Sequence, residues 1–395
     1  MSKTRERKYL KKLYNLHAWV GFQLAIVMFV ILITGTFATI SNEIDWLIFD
    51  EMRATSENHN TDSAPDWSAI YDAASGHASE VKIKSISTMG SDYFTYRVRA
   101  QFEDGKDRFI HVDQYTNEVT GDIPLLTVQR FLRDFHRYLF MPNYLGMPTV
   151  TFFAFILAKS LYTGLKTTRN WKTAITRLRF RQGPRILLSD LHKVCGLWAI
   201  WFVVIIVLTS WWYLFEFGAA VGGTRFEPPA PKLTHSIDEK YNAPISAHQL
   251  DKAVRIAEKA IDNWQITSIQ FPSSPKSTLR FKGVGDNPLL RDRAHKVDID
   301  PVTLEVIAVQ SPDNMAWTNY INEYADPIHF GYFGGLATKA IWFIFGLGLT
   351  ALSATGVIMT WKRTKSAALT KAQIRTLPVF AVSAICFVVW LSRYL

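Results

Sequence analysis

Four long apolar runs restrict the folds that are open to this chain of 395 residues. Each run is nearly free of charge and exceeds the roughly 18 residues that a helix needs to cross about 30 Å of hydrocarbon. A backbone inside hydrocarbon must satisfy its own hydrogen bonds, so each run is expected to form a membrane helix. The runs are residues 16–37, 144–165, 187–215 and 333–361, and a fifth run of marginal length follows at residues 377–391.

Positive charge is concentrated beside these runs. The net charge is +10, and residues 1–12, 166–185 and 361–375 carry six, seven and five of the 44 Lys and Arg residues. An excess of Lys and Arg in short loops is typical of the cytoplasmic side of a membrane. The distribution therefore places the N-terminus in the cytoplasm and residues 41–143 and 216–330 outside. It also indicates the lipid bilayer, and not nucleic acid, as the partner of the basic segments.

The two cysteines of the chain, Cys195 and Cys386, both fall within apolar runs. We therefore expect no disulfides and no covalent haem attachment of the CxxCH type. Cys195 lies three residues after His192 and could contribute to a metal site. Its counterpart in the first half of the chain is Val20, which favours a packing role.

The two halves of the chain repeat one plan. The first run begins LHAWVG and the third begins LHKVCG, so His17 corresponds to His192 and Gly21 to Gly196. Because each half contains two spans, the repeats are expected to be parallel, related by a pseudo-twofold axis along the membrane normal. The same comparison pairs His136 with His329, Thr34 with Thr209, and the Thr-Gly dipeptide at 163–164 with that at 355–356.

The external segments repeat as well. IHVDQYTNEVTGDI at 110–123 and VDIDPVTLEVIAV at 297–309 share a D-x-x-T-x-E-V turn between stretches in which apolar residues alternate. This pattern predicts two antiparallel strands joined by a polar turn. A helical pattern precedes each pair of strands, so each external segment is predicted to be a small α+β module.

The sequence thus predicts a mainly α membrane protein, with a four-helix transmembrane core from two parallel repeats, a fifth helix and two external α+β modules. The predicted order is a cytoplasmic N-terminus with the first span (1–40), the first external module (41–143), the second span (144–168), a basic cytoplasmic loop (169–186), the third span (187–215), the second external module (216–330), the fourth span (331–361), a cytoplasmic loop (362–376) and the fifth helix (377–395).

The repeat turns four membrane-proximal histidines into two pairs. His17 and His192 lie at the cytoplasmic ends of spans one and three, whereas His136 and His329 precede spans two and four on the external side. Imidazole is a common ligand of transition metals, and two imidazoles that face each other across a helix bundle can hold haem iron. The sequence therefore predicts one haem near each face of the membrane.

A haem also needs space and counter-charges. Gly21 and Gly196 each lie four residues after the histidine of their helix, hence on the same helix face, where a missing side chain leaves room for a porphyrin edge. Cations that could accompany the haem propionates are Lys12, Arg185 and Lys193 inside and Arg133 and Arg137 outside.

Simpler interpretations remain open for several of these residues. Glycines in membrane helices often serve close helix packing, and an interfacial histidine can simply extend its polar tip toward water. The aromatic cluster Trp211, Trp212 and Tyr213 is typical of an interfacial belt. The histidines without a repeat partner are expected to be ordinary surface or loop residues: His59, His77, His111, His235, His248 and His295.

These features resemble the PepSY-associated transmembrane family. The resemblance rests on the LHxxxG openings, the histidines before spans two and four, and the external D-x-x-T-x-E-V turns, and it extends over about residues 14–361. It implies b-type haems in a four-helix core, external PepSY-like modules and electron flow across the bacterial inner membrane. It also implies His17 with His192, and His136 with His329, as axial ligands of haem iron. Some members are iron-regulated inner-membrane proteins or ferric-siderophore reductases.

The resulting expectation is a haem-dependent oxidoreductase that reduces an external ferric chelate, such as a ferric siderophore, for iron uptake. No nucleotide-binding fingerprint is present, so the electron donor is expected to be a quinol or a cytoplasmic reductase. One alternative is a PepSY-type regulatory or binding protein that modulates a protease or an envelope process without redox activity. A metal-ion transporter is a further alternative, but its path would be expected to carry Asp or Glu at mid-depth, where the spans have almost none.

Overall fold

The computed structural model describes residues 3–55, 65–168, 170–237, 245–364 and 371–394. The first half contains α1 (Lys3–Gln23), α2 (Ala25–Ala38), α3 (Ser41–Ile48), α4 (Trp67–Ser75), β1 (Lys82–Ser87), β2 (Tyr96–Gln101), β3 (Asp107–Val112), β4 (Val119–Pro124), α5 (Val128–Tyr138) and α6 (Asn143–Thr167). The second half contains α7 (Trp171–Ala174), α8 (Pro184–Trp198), α9 (Ile200–Val221), α10 (Ala247–Ala260), β5 (Gln265–Gln270), β6 (Leu279–Val284), β7 (His295–Ile299), β8 (Val306–Gln310), α11 (Trp317–Phe330), α12 (Gly335–Thr364) and α13 (Lys371–Leu391).

Three helices within the described ranges are long and apolar enough to cross a membrane: α6, α9 and residues Gly335–Met359 of α12. The first predicted span has a different form. Its apolar residues Ile26–Ala38 and the following helix Ser41–Ile48 pass the same test only together, and they are bent by 62° relative to each other. The fifth predicted helix has a shorter apolar part, Thr376–Leu391. The chain is therefore a membrane protein with several apolar helices.

Each of the two LHxxxG helices is interrupted seven residues after its histidine. Leu24 separates α1 from α2 with φ −108° and ψ 5°, and Ala199 separates α8 from α9 with φ −85° and ψ 1°. Both ψ values lie far from the roughly −42° of a regular α-helix. The runs 16–37 and 187–215, which the sequence predicts as continuous helices, are thus broken at repeat-equivalent positions.

The helix contacts follow the repeat. In the first half α1 packs against α6, and in the second half α8 packs against α12. Between the halves, α2 packs against α12 and α9 against α6. The pair α1 and α2 therefore contacts a helix of its own half and a helix of the other half. The same holds for the pair α8 and α9. This arrangement brings repeat-equivalent residues of the two halves toward one another.

The strands of both halves form one antiparallel sheet of eight strands in the order β4-β3-β2-β1-β5-β6-β7-β8. Helices α4 and α10 pack on one face, where the alternating apolar residues of the strands form the largest buried cluster. The halves meet at β1 and β5, where Ile86 pairs with its repeat equivalent Ile269, and both side chains are fully buried. The sequence predicts two modules, but their inner strands pair, so the two modules share one continuous sheet.

The repeated turn has the same hydrogen bonds in both halves. Asp113 Oδ1 accepts hydrogen bonds from the N–H groups of Tyr115 and Thr116, and Asp300 Oδ1 accepts them from Val302 and Thr303. A short Asp side chain that bonds the main chain two residues ahead stabilises a tight turn. The aspartate of the D-x-x-T-x-E-V sequence therefore fixes the connection between β3 and β4 and between β7 and β8.

Candidate functional site

The structure brings the four membrane-proximal histidines together as two pairs. His17 on α1 lies beside His192 on α8, with ring centroids 6.2 Å apart and planes at 77°. His136 on α5 lies beside His329 on α11, with centroids 6.3 Å apart and planes at 38°. Each pair joins one residue from each half of the chain. All four side chains are half-buried.

Each of these four histidines forms a hydrogen bond through its Nδ1 atom. Thr163 Oγ1 lies 3.0 Å from His17 Nδ1, and Thr355 Oγ1 lies 2.9 Å from His192 Nδ1. In the other pair, Thr209 Oγ1 lies 2.7 Å from His329 Nδ1. In the sequence comparison each of these threonines corresponds to a threonine of the other half. Nothing in their sequence context, however, predicts contact with a histidine.

These contacts define which ring nitrogen carries the proton. His136 Nδ1 lies 2.9 Å from the main-chain carbonyl of Ile31, which can only accept, so this Nδ1 donates. Thr163, Thr209 and Thr355 already donate their hydroxyl hydrogens to carbonyls of their own helices, so they accept from the histidines. With Nδ1 protonated, each neutral ring keeps the lone pair of Nε2. We find no hydrogen bond to any of these four Nε2 atoms among the described residues.

The spacing of both pairs matches that of two imidazoles bound to one metal ion. Nitrogen–metal bonds of about 2.0 Å and a ring radius of about 1.1 Å place two centroids on opposite sides of an ion about 6.2 Å apart. The observed distances are 6.2 and 6.3 Å. A histidine that binds metal through one nitrogen usually donates the other N–H to an oxygen, as all four do here.

Small residues lie against three of the imidazole rings. A Cβ atom on Gly35 would come within 2.5 Å of His136 Cε1. Cβ atoms on Gly164 and Gly356 would lie 3.5 Å from His17 Cε1 and 3.7 Å from His192 Cε1. The repeated Thr-Gly dipeptides therefore act as units, in which the threonine holds Nδ1 and the glycine leaves room for the ring.

The two glycines of the LHxxxG sequence have a less specific environment. A Cβ atom on Gly196 would meet only Leu352 Cδ2, at an ordinary contact distance of 3.8 Å. The space that the sequence predicts beside Gly196 for a flat ligand stays a prediction. Gly21 lies in α1, and its surroundings are outside the described details of the structure.

A cavity extends from the pair His136 and His329, named here the outer pair after its predicted side of the membrane, between α2, α6, α9 and α12. Its empty volume, including the open mouth, is about 1110 Å³, and its inner wall is apolar. Apolar walls with a few polar groups are typical of cofactor sites. His136, His329, Gly35 and Ser210 border the cavity, together with the polar side chains Arg137, Tyr213 and Asp326.

A charged network borders this cavity. Arg291 forms an ion pair with Asp326 at 2.7 Å, and Tyr213 donates a hydrogen bond of 2.7 Å to the same carboxylate. Burial by itself would raise the pKa of Asp326, but Arg291 and Tyr213 hold it below its usual range. The Tyr213 ring also lies edge-on to His329, with centroids 5.3 Å apart. Tyr213 is therefore part of the site and not only of the aromatic belt suggested by its sequence.

The five cations expected near the haem propionates lie on three of the helices that carry the paired histidines. Arg137 borders the cavity, and its guanidinium lies 5.1 Å from the centroid of the Tyr138 ring. Arg133 is exposed one turn before His136 on α5. Lys12, Arg185 and Lys193 are also exposed, on or beside the helices that carry His17 and His192.

Two of the remaining histidines do not have the predicted surface or loop position. His111 in β3 is fully buried and hydrogen-bonded to Thr95 Oγ1 at 2.8 Å, and His295 in β7 is 8% exposed. Their strands are covered on both faces, which the alternation pattern alone does not reveal. His59 lies outside the described residues. His248 is exposed on α10, while His77 and His235 approach Asp122 and Asp300.

Within the residues that the structure describes, no group of three or more His, Cys, Asp or Glu side chains is arranged to hold a metal ion. The histidine pairs provide two side-chain ligands each. Such a pair suits an ion whose other positions are filled by a macrocycle, as in haem. Cys195 is a free, half-buried thiol on α8.

Comparison with known proteins agrees with the membrane helices. No curated protein matches the chain. Residues 14–363 match the family described as the PepSY-associated TM region. This matched range includes both histidine pairs and the whole eight-stranded sheet. This chain is therefore a membrane protein of the PepSY-associated TM region family.

Proposed function

We propose that this protein transfers electrons across the membrane through two b-type haems and reduces a ferric chelate, such as a ferric siderophore, on the external side. His17 and His192 would hold one haem, and His136 and His329 the other. The observation that carries the proposal is the spacing of 6.2 and 6.3 Å in pairs whose Nδ1 atoms are all fixed by oxygen acceptors. When bound, each haem supplies an iron that cycles between the ferric and ferrous states.

The side chains around the histidines would set the properties of this iron. The oxygen acceptors at Nδ1 orient the rings and raise the basicity of Nε2. The apolar wall of the outer cavity lowers the local dielectric constant, so nearby charges act strongly. Arg137 would neutralise a propionate at the cavity border. The chain thus contributes ligation, orientation and burial, whereas the redox chemistry belongs to the cofactor.

The direction of transfer rests on the charge distribution. The basic segments would put the pair His17 and His192 near the cytoplasm of a bacterial inner membrane and the sheet outside. A quinol or a cytoplasmic reductase would supply one electron for each ferric ion that is reduced to ferrous iron. Ferrous iron binds hard oxygen ligands less strongly than ferric iron, so reduction would release it from the chelate. This sequence of events would place the protein in iron acquisition.

A spectrum of the purified protein tests the proposal. The wild-type protein should show a Soret band that shifts on reduction with dithionite, with about two haems per chain. His192→Ala and His329→Ala should each lose about one haem, whereas His248→Ala, on the exposed face of α10, should keep both. A colourless wild-type protein purified from haem-replete cells would refute haem-based transfer and favour the regulatory alternative.

A further inference from the structure

One transverse row of side chains crosses the sheet on the face opposite α4 and α10. Arg97 on β2 pairs with Ser87 on β1, Ser87 pairs with Ser268 on β5, and Ser268 pairs with Lys282 on β6. Directly paired residues of adjacent strands lie on the same face of a sheet. The neighbours Val98, Ile86, Ile269 and Phe281 are fully buried on the other face, which confirms the orientation of the row.

The two cations of this row differ from the other cations on the same face. Arg280 is paired with Asp298 at 2.8 Å, and Arg99 with Asp107 at 2.7 Å. Arg97 and Lys282, in contrast, have no ion pair or side-chain hydrogen bond within the described ranges; Arg97 lies over the Phe109 ring at 4.9 Å. Both side chains are half-buried. Partly buried cations without a counter-ion are costly, and they favour a site that an anion completes.

The residues at the two ends of the row do not supply that anion. Beyond Arg97 the row continues to His111, and burial together with the charge of Arg97 lowers the pKa of His111 to about 3, so that it is neutral. Beyond Lys282 it continues to Lys296, whose ammonium group is already paired with Glu227. The two serines in the middle are small and carry hydroxyl groups. They lie between the two cations in the row.

One residue of the helix that carries His136 acts on Arg97 through its charge. Burial, and next the charge of Arg133, lowers the pKa of Arg97. Arg133 is on α5, three residues before His136, and residues at this spacing are neighbours on a helix surface. Asp45 and Asp292 also act on Arg97, but neither is within ion-pair distance, and Asp45 accepts hydrogen bonds from the start of α5.

We propose that the row of Arg97, Ser87, Ser268 and Lys282, named here the chelate groove, binds the ferric chelate and selects chelates with a negative charge. Three strand spacings of about 4.8 Å separate the two cations by about 14 Å at the backbone, which suits a compact polyanion with carboxylate or catecholate oxygens. The Ser268 hydroxyl, and the Ser87 hydroxyl in place of its 3.4 Å hydrogen bond to the Arg97 carbonyl, would hydrogen-bond these oxygens. This inference rests on the proposed function, because it names the class of substrate that the outer histidine pair would serve.

Gallium citrate is a suitable probe, because it has the shape and charge of a ferric chelate but accepts no electron. Arg97→Gln combined with Lys282→Gln should weaken its binding to the full-length protein in nanodiscs by about tenfold or more. Lys259→Gln, an exposed lysine on α10 at the opposite face, should bind as the wild type does. The gallium complex of desferrioxamine B, which lacks negative charge, should bind no more weakly to the double variant than to the wild type.

Three outcomes would overturn the inference while leaving the proposed function intact. Equal binding of gallium citrate to the wild type and the double variant would show that the groove is not the site. Equal loss of both gallium complexes would show a general structural effect, which the Soret spectrum and the thermal unfolding midpoint would also reveal. Loss of gallium citrate binding in nanodiscs with phosphatidylglycerol, compared with phosphatidylcholine alone, would assign the groove to a lipid phosphate. A wild-type protein that binds gallium citrate but contains no haem would instead refute only the proposed electron transfer.

Discussion

The imidazole of His136 lies directly against the backbone of Gly35, at a distance that leaves no room for a side chain. A Cβ atom at Gly35 would be 2.5 Å from His136 Cε1 and 2.8 Å from its Nδ1. The ring therefore has its place only because α2 presents a bare backbone at this point. The hydrogen bond from His136 to Ile31, one turn earlier on the same helix, fixes the ring in that place.

Gly35→Ala should therefore displace His136 and remove the outer haem while the inner haem stays bound. The expected result is about one haem per chain, measured from the reduced-minus-oxidised spectrum and the pyridine haemochrome. Gly348→Ala is the matched control, because a Cβ atom there would meet no other atom within 4 Å. Retention of both haems in Gly35→Ala would contradict the assigned position of the outer haem.

The two outer histidines are held differently, and this difference can be tested. Thr209→Val removes the oxygen that accepts from His329, so the outer haem should bind about 10–100-fold more weakly. Thr34→Val, at the repeat-equivalent position, should have a much smaller effect, because His136 donates to the Ile31 carbonyl and not to Thr34. Haem titration of the apoprotein measures both. Equal effects of the two substitutions would show that the sequence repeat, and not the observed contacts, determines the ligand environment.

The fifth helix should support the outer histidine pair. Trp390 of α13 donates a hydrogen bond of 2.8 Å to Asp134 of α5 and packs on Phe140, which follows the end of α5. Trp390→Ala should cost about 3–5 kcal/mol, as is usual for a buried tryptophan, and loosen the outer haem before the inner one. Thermal unfolding followed at the Soret band provides the measurement. Val389→Ala, at the exposed neighbouring residue, should leave the midpoint unchanged.

The chelate groove should depend on pH through Lys282. Burial, and then the charges of Arg293, Lys296 and Arg280, lowers the pKa of Lys282 to about 8, and Glu227 opposes this only partly. The ammonium form exists below that pKa, so the affinity for gallium citrate should fall as the pH rises from 7 to 9. Lys282→Arg keeps its charge throughout this range and should remove the pH dependence. Parallel pH profiles of the wild type and Lys282→Arg would exclude Lys282 as the titrating group.

Much of this architecture follows from the sequence because the chain repeats itself. The comparison of LHAWVG with LHKVCG pairs His17 with His192 without any knowledge of the fold, and period-2 alternation indicates the strands of the sheet. Other features leave no such signal. The Ile31 carbonyl that holds His136 is a main-chain atom, which any residue would provide. The pairing of Ile86 with Ile269 joins strands about 180 residues apart, and local patterns do not encode such contacts.

The bends of the membrane helices were also beyond sequence reasoning. Leu24 and Ala199 mark breaks at equivalent positions, yet neither is a Gly or Pro that would signal an interruption. The role of Tyr213 was hidden for a different reason. Its sequence neighbours Trp211 and Trp212 suggest an interfacial belt, and only the fold shows that Asp326 and His329 lie beside it.

The pairing of Ile86 with Ile269 has a consequence for the origin of the chain. Because both residues occupy the same position of the repeat, the sheet junction has the geometry of two identical subunits that meet across a twofold axis. A half-length chain built on this plan would form the same sheet and the same histidine pairs as a homodimer. Gene duplication and fusion would then have freed each half to change alone. Thr209 and the Ile31 carbonyl, which do the same task in different ways, are the record of that divergence.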